Sequence, residues 1–273
     1  MKLSVASWSF HSLTFDQATG LAKVLGIHAI DVGYFGHPAL DKAKLLTEPE
    51  SYGRDIAAAS PVPIANLFHL FGDSLHDRNL ALPPDPQNLA DLKAALAFAK
   101  AAGAPSVFIL PGMINPGQSR ADALTASAES LKPMVAAGKE VGIKVLVEPH
   151  VQGILEQPEI TEELLEKVPG LGIVLDPSHF AVFGHSQASI DALAGHAGHV
   201  HLRQAKPGQL QAKMDEGTLN FASFFGALRD ANYDGWCSIE YEHDSFMNSL
   251  HDDVLTETVK MRDCFQNWWS ANG

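Results

Sequence analysis

Four side chains able to bind a metal ion stand at the ends of short apolar runs. Glu148 ends Val-Leu-Val-Glu, Asp176 ends Ile-Val-Leu-Asp, His201 lies in His-Val-His-Leu, and Glu240 ends Cys-Ser-Ile-Glu. Three carboxylates and one imidazole form a hard donor set, which suits Mn²⁺, Mg²⁺, Co²⁺ or Zn²⁺. Each acid could instead be a charge in a loop salt bridge. Buried together, however, like charges are costly unless a cation neutralises them, so the pattern predicts one divalent metal ion.

These side chains can meet only if the runs are strands that point the same way. Short apolar runs alternate with helix-patterned segments along the whole chain, which is typical of a parallel sheet with crossover helices. The 273 residues suit a (β/α)₈ TIM barrel, which needs about 250. We therefore predict an α/β fold with one barrel domain spanning 1–273. The carboxyl ends of its strands five to eight would carry the four side chains to one mouth.

The predicted elements form eight strand and helix units. The strands cover Leu3–Ser9, Ala29–Gly33, Pro63–Phe68, Ser106–Leu110, Lys144–Glu148, Gly172–Asp176, His199–Arg203 and Trp236–Glu240. The helices lie near 15–25, 42–59, 86–102, 120–140, 159–168, 187–195, 220–231 and 247–270. Two polar stretches without a clear period, 69–86 and 204–219, follow strands, so we expect both at the barrel mouth.

An open doubly wound sheet would show the same alternation of elements. That fold usually carries a glycine-rich phosphate loop after its first strand, whereas Ser7-Trp8-Ser9-Phe10-His11 stands there in this chain. The barrel is therefore the favoured interpretation.

Five further residues near the predicted strand ends are candidates for substrate binding. They are His179, Arg203, His69, Trp8 and Glu242. Each could instead make a structural hydrogen bond, an ion pair or a packing contact. A three-histidine metal site built from His196, His199 and His201 is rejected because His196 falls in a predicted helix or loop.

The composition restricts the class of partner. The chain has 19 Lys and Arg against 32 Asp and Glu, a formal net charge of −13, so it repels nucleic acid and anionic membrane surfaces. The amino-terminal sequence does not resemble a targeting segment and no apolar run is long enough to span a bilayer, so we expect a cytoplasmic protein. Cys237 and Cys264 lie in apolar surroundings and are expected to be buried thiols. A homo-oligomer is compatible with the sequence.

The strand-end motifs resemble those of the xylose-isomerase-like barrel superfamily of sugar isomerases and epimerases. The matching motifs are Val147-Glu148-Pro149-His150, Leu175-Asp176-Pro177-Ser178-His179, Val200-His201-Leu202-Arg203 and Ile239-Glu240. The resemblance extends in order over almost the whole chain. It implies that the predicted quartet binds the metal, and that Glu148 and Glu240 face the substrate carbon from opposite sides. It also implies that His179 contacts substrate or, as in DNA-repair relatives, another zinc.

The chemistry expected of such a site is proton transfer next to a carbonyl. A divalent ion chelated by a ketose would stabilise the enediolate formed when the α-proton leaves, and Glu148 and Glu240 would act as base and acid. The resemblance thus implies a metal-dependent isomerase or epimerase of a sugar, sugar phosphate or polyol. Manganese is one of the ions that the donor set suits.

Other functions are compatible with the same donor set. A keto-inositol dehydratase would use the same ion to expel water, and a non-catalytic barrel would only bind a sugar. The pair of glutamates argues against the binding barrel. An abasic-site endonuclease is disfavoured by the net charge and by Leu110-Pro111-Gly112, where those relatives carry a histidine.

Overall fold

The computed structural model describes residues 1–34, 40–251 and 253–272. The strands are β1 (Lys2–Ala6), β2 (Ala29–Val32), β3 (Ile64–Phe68), β4 (Ser106–Ile109), β5 (Lys144–Val147), β6 (Gly172–Leu175), β7 (Ala197–Leu202), β8 (Gln204–Lys206), β9 (Gln209–Ala212) and β10 (Trp236–Ile239). The α-helices are α1 (Phe15–Val24), α2 (Lys42–Thr47), α3 (Pro49–Ala59), α4 (Pro86–Ala102), α5 (Arg120–Val141), α6 (Pro158–Lys167), α7 (Ser178–Ala181), α8 (Gln187–Asp191), α9 (Phe221–Asp230) and α10 (Val254–Asn272). Three 3₁₀ segments cover Ser7–Phe10, Ala192–His196 and Phe246–Asn248.

Eight of these strands form a closed parallel barrel. Their order around the ring is β1-β10-β7-β6-β5-β4-β3-β2, and β2 pairs with β1 to complete it. The strand that comes last in the chain pairs with the first, with Val5 opposite Ile239. A closed ring confirms the predicted (β/α)₈ barrel and excludes the open doubly wound sheet. All eight carboxyl ends therefore point at one mouth.

The first strand is shorter than predicted. It ends at Ala6, and Ser7–Phe10 turns into a 3₁₀ segment instead of continuing as a strand to Ser9. The turn buries Ser7, Ser9 and Phe10. It also brings the indole of Trp8 to the mouth, where its N–H donates to the carboxylate of Glu240, the residue that follows the neighbouring strand β10. A tertiary contact of this kind leaves no periodic signal in the sequence.

The predicted helix of 42–59 is interrupted by a proline. Helix α2 ends at Thr47, and α3 begins at Pro49, which is its first residue. Proline has no backbone N–H and its ring clashes with the preceding turn, so it is tolerated at the start of a helix but not within one. The prediction of one continuous helix there was wrong.

Two other predicted helices also change near their ends. The helix of 187–195 is α-helical only to Asp191 and continues as 3₁₀ from Ala192 to His196. The helix of 247–270 begins at Val254, after the 3₁₀ segment that ends at Asn248. Position 252 of that prediction lies outside the described residues.

The loop predicted at 204–219 contains an antiparallel hairpin. Strands β8 and β9 pair there, with Gln204 opposite Ala212. The turn between them contains Pro207-Gly208, and Gly208 has a φ of 79°, a conformation that glycine adopts without steric cost. The hairpin follows β7 directly, so it stands beside the barrel mouth as expected for this stretch.

The core divides into a layer between barrel and helices and a smaller cluster inside the barrel. The inner cluster is formed by Phe68, Leu70, Phe108, Leu146 and Val174, all buried. Its members lie in β3, β4, β5 and β6 or shortly after β3.

Two smaller expectations can be compared with the fold. Cys237 is a buried free thiol as predicted, whereas Cys264 is only partly buried. Among the helices that the structure describes, none combines the length and the apolar character needed to cross a bilayer.

Candidate metal centre and active site

The four predicted metal ligands converge at the barrel mouth. Glu148, Asp176 and Glu240 directly follow β5, β6 and β10, and His201 lies near the end of β7. One donor atom from each lies within 4.8 Å of the donor atoms of the other three. All four side chains are buried, with 5% or less of their surface exposed. The barrel therefore brings together side chains that are 92 residues apart in sequence, from 148 to 240.

The donor atoms of this quartet lack hydrogen-bond partners among the described residues. They are Glu148 Oε1, Asp176 Oδ2, His201 Nδ1 and Glu240 Oε2. His201 Nδ1 lies 2.9 Å from Glu148 Oε1 and 3.1 Å from Glu240 Oε2, so the atoms crowd around one point. Buried polar atoms without partners are costly, and a divalent ion with oxygen and nitrogen ligands would satisfy all four. The residues present fit such an ion.

The second oxygen of two of these carboxylates is held by the protein. Asp176 Oδ1 accepts a hydrogen bond of 2.8 Å from the backbone N–H of Ser178, as an aspartate does in an Asx turn. Glu240 Oε1 accepts a hydrogen bond of 2.7 Å from Trp8 Nε1. In each case the remaining oxygen is the one that points to the common centre.

The charges of the quartet depend strongly on each other. Burial raises the pKa of Asp176 to about 6, and the charges of Glu240 and Glu148 add to this rise. Burial would lower the pKa of His201, but the charge of Glu240 and the close contacts of the ring with Asp31, Glu148 and Glu240 raise it well above its usual range. Burial would raise the pKa of Glu240, yet His201 and Arg203 hold it well below its usual range. In effect a proton on His201 supplies the positive charge that a metal ion would supply.

Arg203 is the fixed cation beside the quartet. Its Nη2 lies 2.9 Å from Asp176 Oδ2 and 3.5 Å from Glu240 Oε2, and its Nε donates to Ser178 Oγ at 2.9 Å. Burial would lower its pKa, but the surrounding carboxylates, Asp176 first, raise it. The guanidinium is therefore always charged and is held in a single orientation.

His179 and Glu242 flank this guanidinium. His179 Nε2 lies 3.0 Å from Arg203 Nη2, and its Nδ1 accepts a hydrogen bond of 3.1 Å from the backbone N–H of Val151. Burial lowers the pKa of His179 well below its usual range, so its ring is neutral. Glu242 Oε2 lies 3.9 Å from Arg203 Nη1, and burial together with the charge of Glu240 raises the pKa of Glu242 to about 8.

A cavity of about 160 Å³ opens above the quartet. Its polar lining includes Glu148, Arg203, Glu240 and Glu242, and its apolar wall includes Trp8, Phe68, Phe108, Leu110 and Phe246. Pockets for drug-sized ligands are about 300–1,000 Å³, so this cavity suits a small metabolite with polar and apolar sides.

The predicted substrate-binding residues are placed differently around this cavity. Trp8, Arg203 and Glu242 line it, whereas His179 is not among the described lining residues and lies behind Arg203. His69 is also outside the described lining. It is fully buried, its Nδ1 lies 2.5 Å from Tyr34 Oη, and burial lowers its pKa to about 3. His69 therefore belongs to the packing beside strand β3.

The structure adds two residues that the sequence pattern did not single out. Asp31 in β2 is fully buried, and its Oδ2 lies 2.6 Å from His199 Nε2 and 3.5 Å from His201 Nε2. The available signal was an acid within the apolar run Ala29-Ile30-Asp31-Val32. His150, two residues after Glu148, lines the cavity, and its ring centroid lies 4.3 Å from that of His179.

Among the described residues, the clusters that could hold a metal ion do not include the rejected three-histidine grouping. His196 is exposed at the end of a 3₁₀ segment, while His199 and His201 group with Asp31.

Comparison with known proteins gives one family match that covers most of the chain. The sequence profile described as "Xylose isomerase-like TIM barrel" matches residues 20–264. A protein from Homo sapiens named putative hydroxypyruvate isomerase is 27% identical over 195 residues, which are 67% of this chain and 66% of that protein. The chain thus spans just under two thirds of the length of that relative.

Solved structures with the same fold match nearly the whole chain. A D-tagatose 3-epimerase-like protein superposes with a TM-score of 0.74 at 19% identity, covering 99% of this chain and 98% of the other. The IOLI protein with a binding zinc atom superposes with a TM-score of 0.73 at 16% identity, covering 97% of both chains. At these identities the likeness concerns the fold.

Proposed function

Because the chain belongs to the xylose isomerase-like TIM barrel family, we propose that it is a divalent-metal-dependent isomerase or epimerase of a small hydroxy-ketone, such as a ketose. The observation that carries this proposal is the convergence of four buried donor atoms beside a small cavity that two of the four residues, Glu148 and Glu240, line. The names of the human relative and of the epimerase-like structure support isomerase chemistry. The zinc-containing neighbour supports metal binding at this fold.

The quartet would hold the ion through Glu148, Asp176, His201 and Glu240. A divalent ion bound there would polarise a carbonyl and stabilise the negative charge that develops when the neighbouring proton leaves. The remaining chemistry is proton transfer, for which a carboxylate near the reacting carbon is suited.

Glu148 and Glu240 are the proposed acid and base. Both line the cavity, and they follow β5 and β10, which are separated in the ring by β6 and β7. Their carboxylates therefore approach a substrate in the mouth from different sides. One can remove a proton from one face of the carbon while the other returns a proton to the opposite face. Trp8 holds Glu240 Oε1 and so fixes the orientation of that carboxylate.

Arg203 and the groups around it would orient the substrate. Its guanidinium lines the cavity and can donate to a substrate oxygen, while Glu242 can bind a hydroxyl. His179 acts through Arg203, which it contacts at 3.0 Å. Trp8, Phe68 and Phe108 offer an apolar surface to the carbon side of the substrate and exclude water from it.

The proposed substrate carries no phosphate group. Arg203 is the one lysine or arginine among the described residues that line the cavity, and it already pairs with Asp176 and approaches Glu242. Residues 35–39, 252 and 273 include no lysine or arginine either. A phosphate would therefore find no free cation other than the metal.

The test is hydrogen exchange in D₂O followed by NMR. The protein loaded with Mn²⁺ or, for sharper spectra, Mg²⁺ or Zn²⁺ is incubated with free ketoses, a keto-inositol and hydroxypyruvate. We expect deuterium at a single carbon of one compound together with its isomer, and formation of the isomer should be at least about 10²-fold slower with the Glu240→Gln variant. Loss of water would identify a dehydratase instead. Binding without exchange, with the metal in place, would identify a sugar-binding barrel.

A further inference from the structure

Asp31 is a buried acid that none of the roles above uses. It lies in β2 and is fully buried, and it faces two histidines of β7 across the barrel interior. Strands β2 and β7 are separated in the ring by β1 and β10, so this contact is not one between neighbouring strands. Burial of a carboxylate in such a position costs free energy unless the group is paired, so its partners indicate its role.

The two ring nitrogens of His201 face different partners. Nδ1 points to Glu148 Oε1 and Glu240 Oε2 at the centre of the quartet. Nε2 faces the other way, 3.5 Å from Asp31 Oδ2. A ring nitrogen that binds a cation must have lost its proton, so the single proton of the neutral ring belongs on Nε2.

We propose that Asp31 is a positioning residue for the metal ligand His201. Its carboxylate accepts the Nε2 proton of His201 and thereby holds the ring in the tautomer whose Nδ1 faces the ion. This inference rests on the proposed metal centre. Metal-binding histidines commonly donate their second N–H to a carboxylate, and loss of that partner typically weakens metal binding.

His199 holds Asp31 in place for this role. Its Nε2 lies 2.6 Å from Asp31 Oδ2, and its ring is perpendicular to that of His201, with a centroid separation of 5.4 Å. The two histidines occupy the same face of β7, two residues apart. One carboxylate oxygen therefore serves both rings, and His199 limits the rotation of the acid.

The main alternative is that this group is a second metal site. Asp31, His199 and His201 also offer donor atoms within 4.8 Å of one another. His201 would then have to bridge two ions, one on each ring nitrogen, and His199 would have to give up its short contact with Asp31. None of the three is among the described residues lining the cavity, so a second ion would not meet substrate.

The first experiment compares metal affinity in Asp31→Ala, Asp31→Asn and Asn66→Ala. Asn66 is the matched control because it is a fully buried polar residue opposite Asp31 in the β2–β3 pair, with hydrogen bonds to Ser106 and Leu67 and not to the quartet. Zn²⁺ affinity is measured by competition with a chromogenic chelator on protein shown to be folded by circular dichroism. We expect Asp31→Ala to bind about 10- to 100-fold more weakly, and Asp31→Asn, which keeps an acceptor, to fall between. Asn66→Ala should stay within about twofold of the unaltered protein.

The second experiment examines the tautomer directly. In the Co²⁺-loaded protein, proton NMR should show one exchangeable, strongly shifted ring N–H signal, from Nε2 of His201. In Asp31→Asn that proton should exchange with solvent faster. If Asp31→Ala does not fold, the spectrum of the unaltered protein still tests the proposed tautomer. Absence of this signal in a protein with Co²⁺ bound would overturn that tautomer.

The outcomes separate this role from the proposed function. If the unaltered protein binds no stoichiometric metal, the metal centre itself is wrong. If it binds one ion and Asp31→Ala matches Asn66→Ala, the role of Asp31 is wrong and the proposed function survives. Two ions per chain, with one lost in the Asp31 variants, would replace the positioning role with a second metal site.

Discussion

At the scale of single residues, two carboxylates of the site each use one oxygen for a hydrogen bond within the protein and direct the other oxygen to the quartet. Asp176 uses Oδ1 for the backbone N–H of Ser178, and Glu240 uses Oε1 for Trp8. The other oxygen of each is left for the quartet. This division fixes the direction of the donor atoms before any ion arrives, which is the preorganisation that metal sites require.

Removal of a ligand should empty the metal centre. We expect Asp176→Ala and His201→Ala to lose most of the metal bound by the unaltered protein, because each removes one of four donors. Metal content is measured by atomic emission after gel filtration. His196→Ala, which removes an exposed histidine outside the quartet, should retain full stoichiometry. Full metal content in both ligand variants would mean that the ion binds elsewhere.

Replacement of each of the two glutamates should impair proton transfer in a different way. Glu148→Gln and Glu240→Gln keep the size of the side chain and one possible oxygen ligand but lose the base, so turnover should fall at least about 10²-fold. Each variant should still exchange the α-proton in D₂O from one epimer, and the two should prefer opposite epimers. Epimerisation at the unaltered rate by both variants, with metal bound, would disprove the assigned acid and base.

The sequence pattern predicted that the four quartet residues lie close together because they share a position at the ends of apolar runs. Asp31 was missed because it lies inside such a run, where a charge has no local partner and its meaning depends on His199, which is 168 residues away. His69 ends a strand as the ligands do, but its side chain packs with Tyr34 instead of entering the cavity. The position of a residue along its strand thus predicts how close the residue lies to the barrel mouth. It predicts less well the direction in which the side chain points.

At the scale of elements, the hairpin of β8 and β9 supports one wall of the cavity. Gln211 in β9 forms hydrogen bonds with both backbone groups of Glu242, donating to its carbonyl at 2.7 Å and accepting from its N–H at 2.8 Å. The segment that follows β10 is therefore attached to the hairpin that follows β7. Glu242 is held at the cavity by an element that the sequence pattern described only as a loop.

Loss of this attachment should affect substrate binding more than metal binding. In Gln211→Leu the backbone of Glu242 loses two hydrogen bonds, and we expect KM to rise about threefold to tenfold while metal content stays the same. Steady-state kinetics on the substrate found by NMR provide the measurement. Lys213→Ala, which changes an exposed residue just after β9, should leave KM unchanged. Loss of metal in Gln211→Leu would contradict a role confined to Glu242.

Element boundaries were the least predictable feature of the fold. The break at Pro49 and the turn at Pro207-Gly208 both had local signals, since proline ends helices and Pro-Gly favours tight turns. The 3₁₀ turn at Ser7–Phe10 had no such signal, and the contact that it makes possible, between Trp8 and Glu240, joins residues 232 positions apart.

At the scale of the whole molecule, the proposed metal centre would join four strands of the barrel. Its proposed ligands follow β5, β6 and β10 or lie in β7. An ion that binds the folded chain but not the unfolded chain stabilises the fold by mass action, by about 2.7 kcal/mol at 100 times its Kd. For a chain of this size we expect the Tm to rise by roughly 5 °C.

Scanning calorimetry with and without metal tests this coupling. The protein stripped with EDTA should unfold at the lower temperature, and saturating metal should restore the higher one. His201→Ala should show little shift on metal addition. An equal shift in that variant would indicate that the ion acts at another site.

The charge of the molecule should select against phosphorylated substrates. The formal net charge is −13, and Arg203 is the single described lysine or arginine at the cavity. We expect kcat/KM for a free ketose to exceed that for its phosphate ester by at least about tenfold, with a larger difference at low ionic strength. A phosphate ester turned over more efficiently than the free sugar would refute the proposed substrate class.

The hydrogen bond between Trp8 and Glu240 has a consequence for biosynthesis. The two residues are 232 positions apart, so at about 5–20 residues per second the ribosome adds Glu240 roughly 12–46 s after Trp8. During that time the nascent chain holds Trp8 and the inner face of β1 without their final neighbours in β10. The last strand must leave the exit tunnel before the ring can close. The cellular metal pool therefore meets a complete donor set only after Glu240 has left the tunnel.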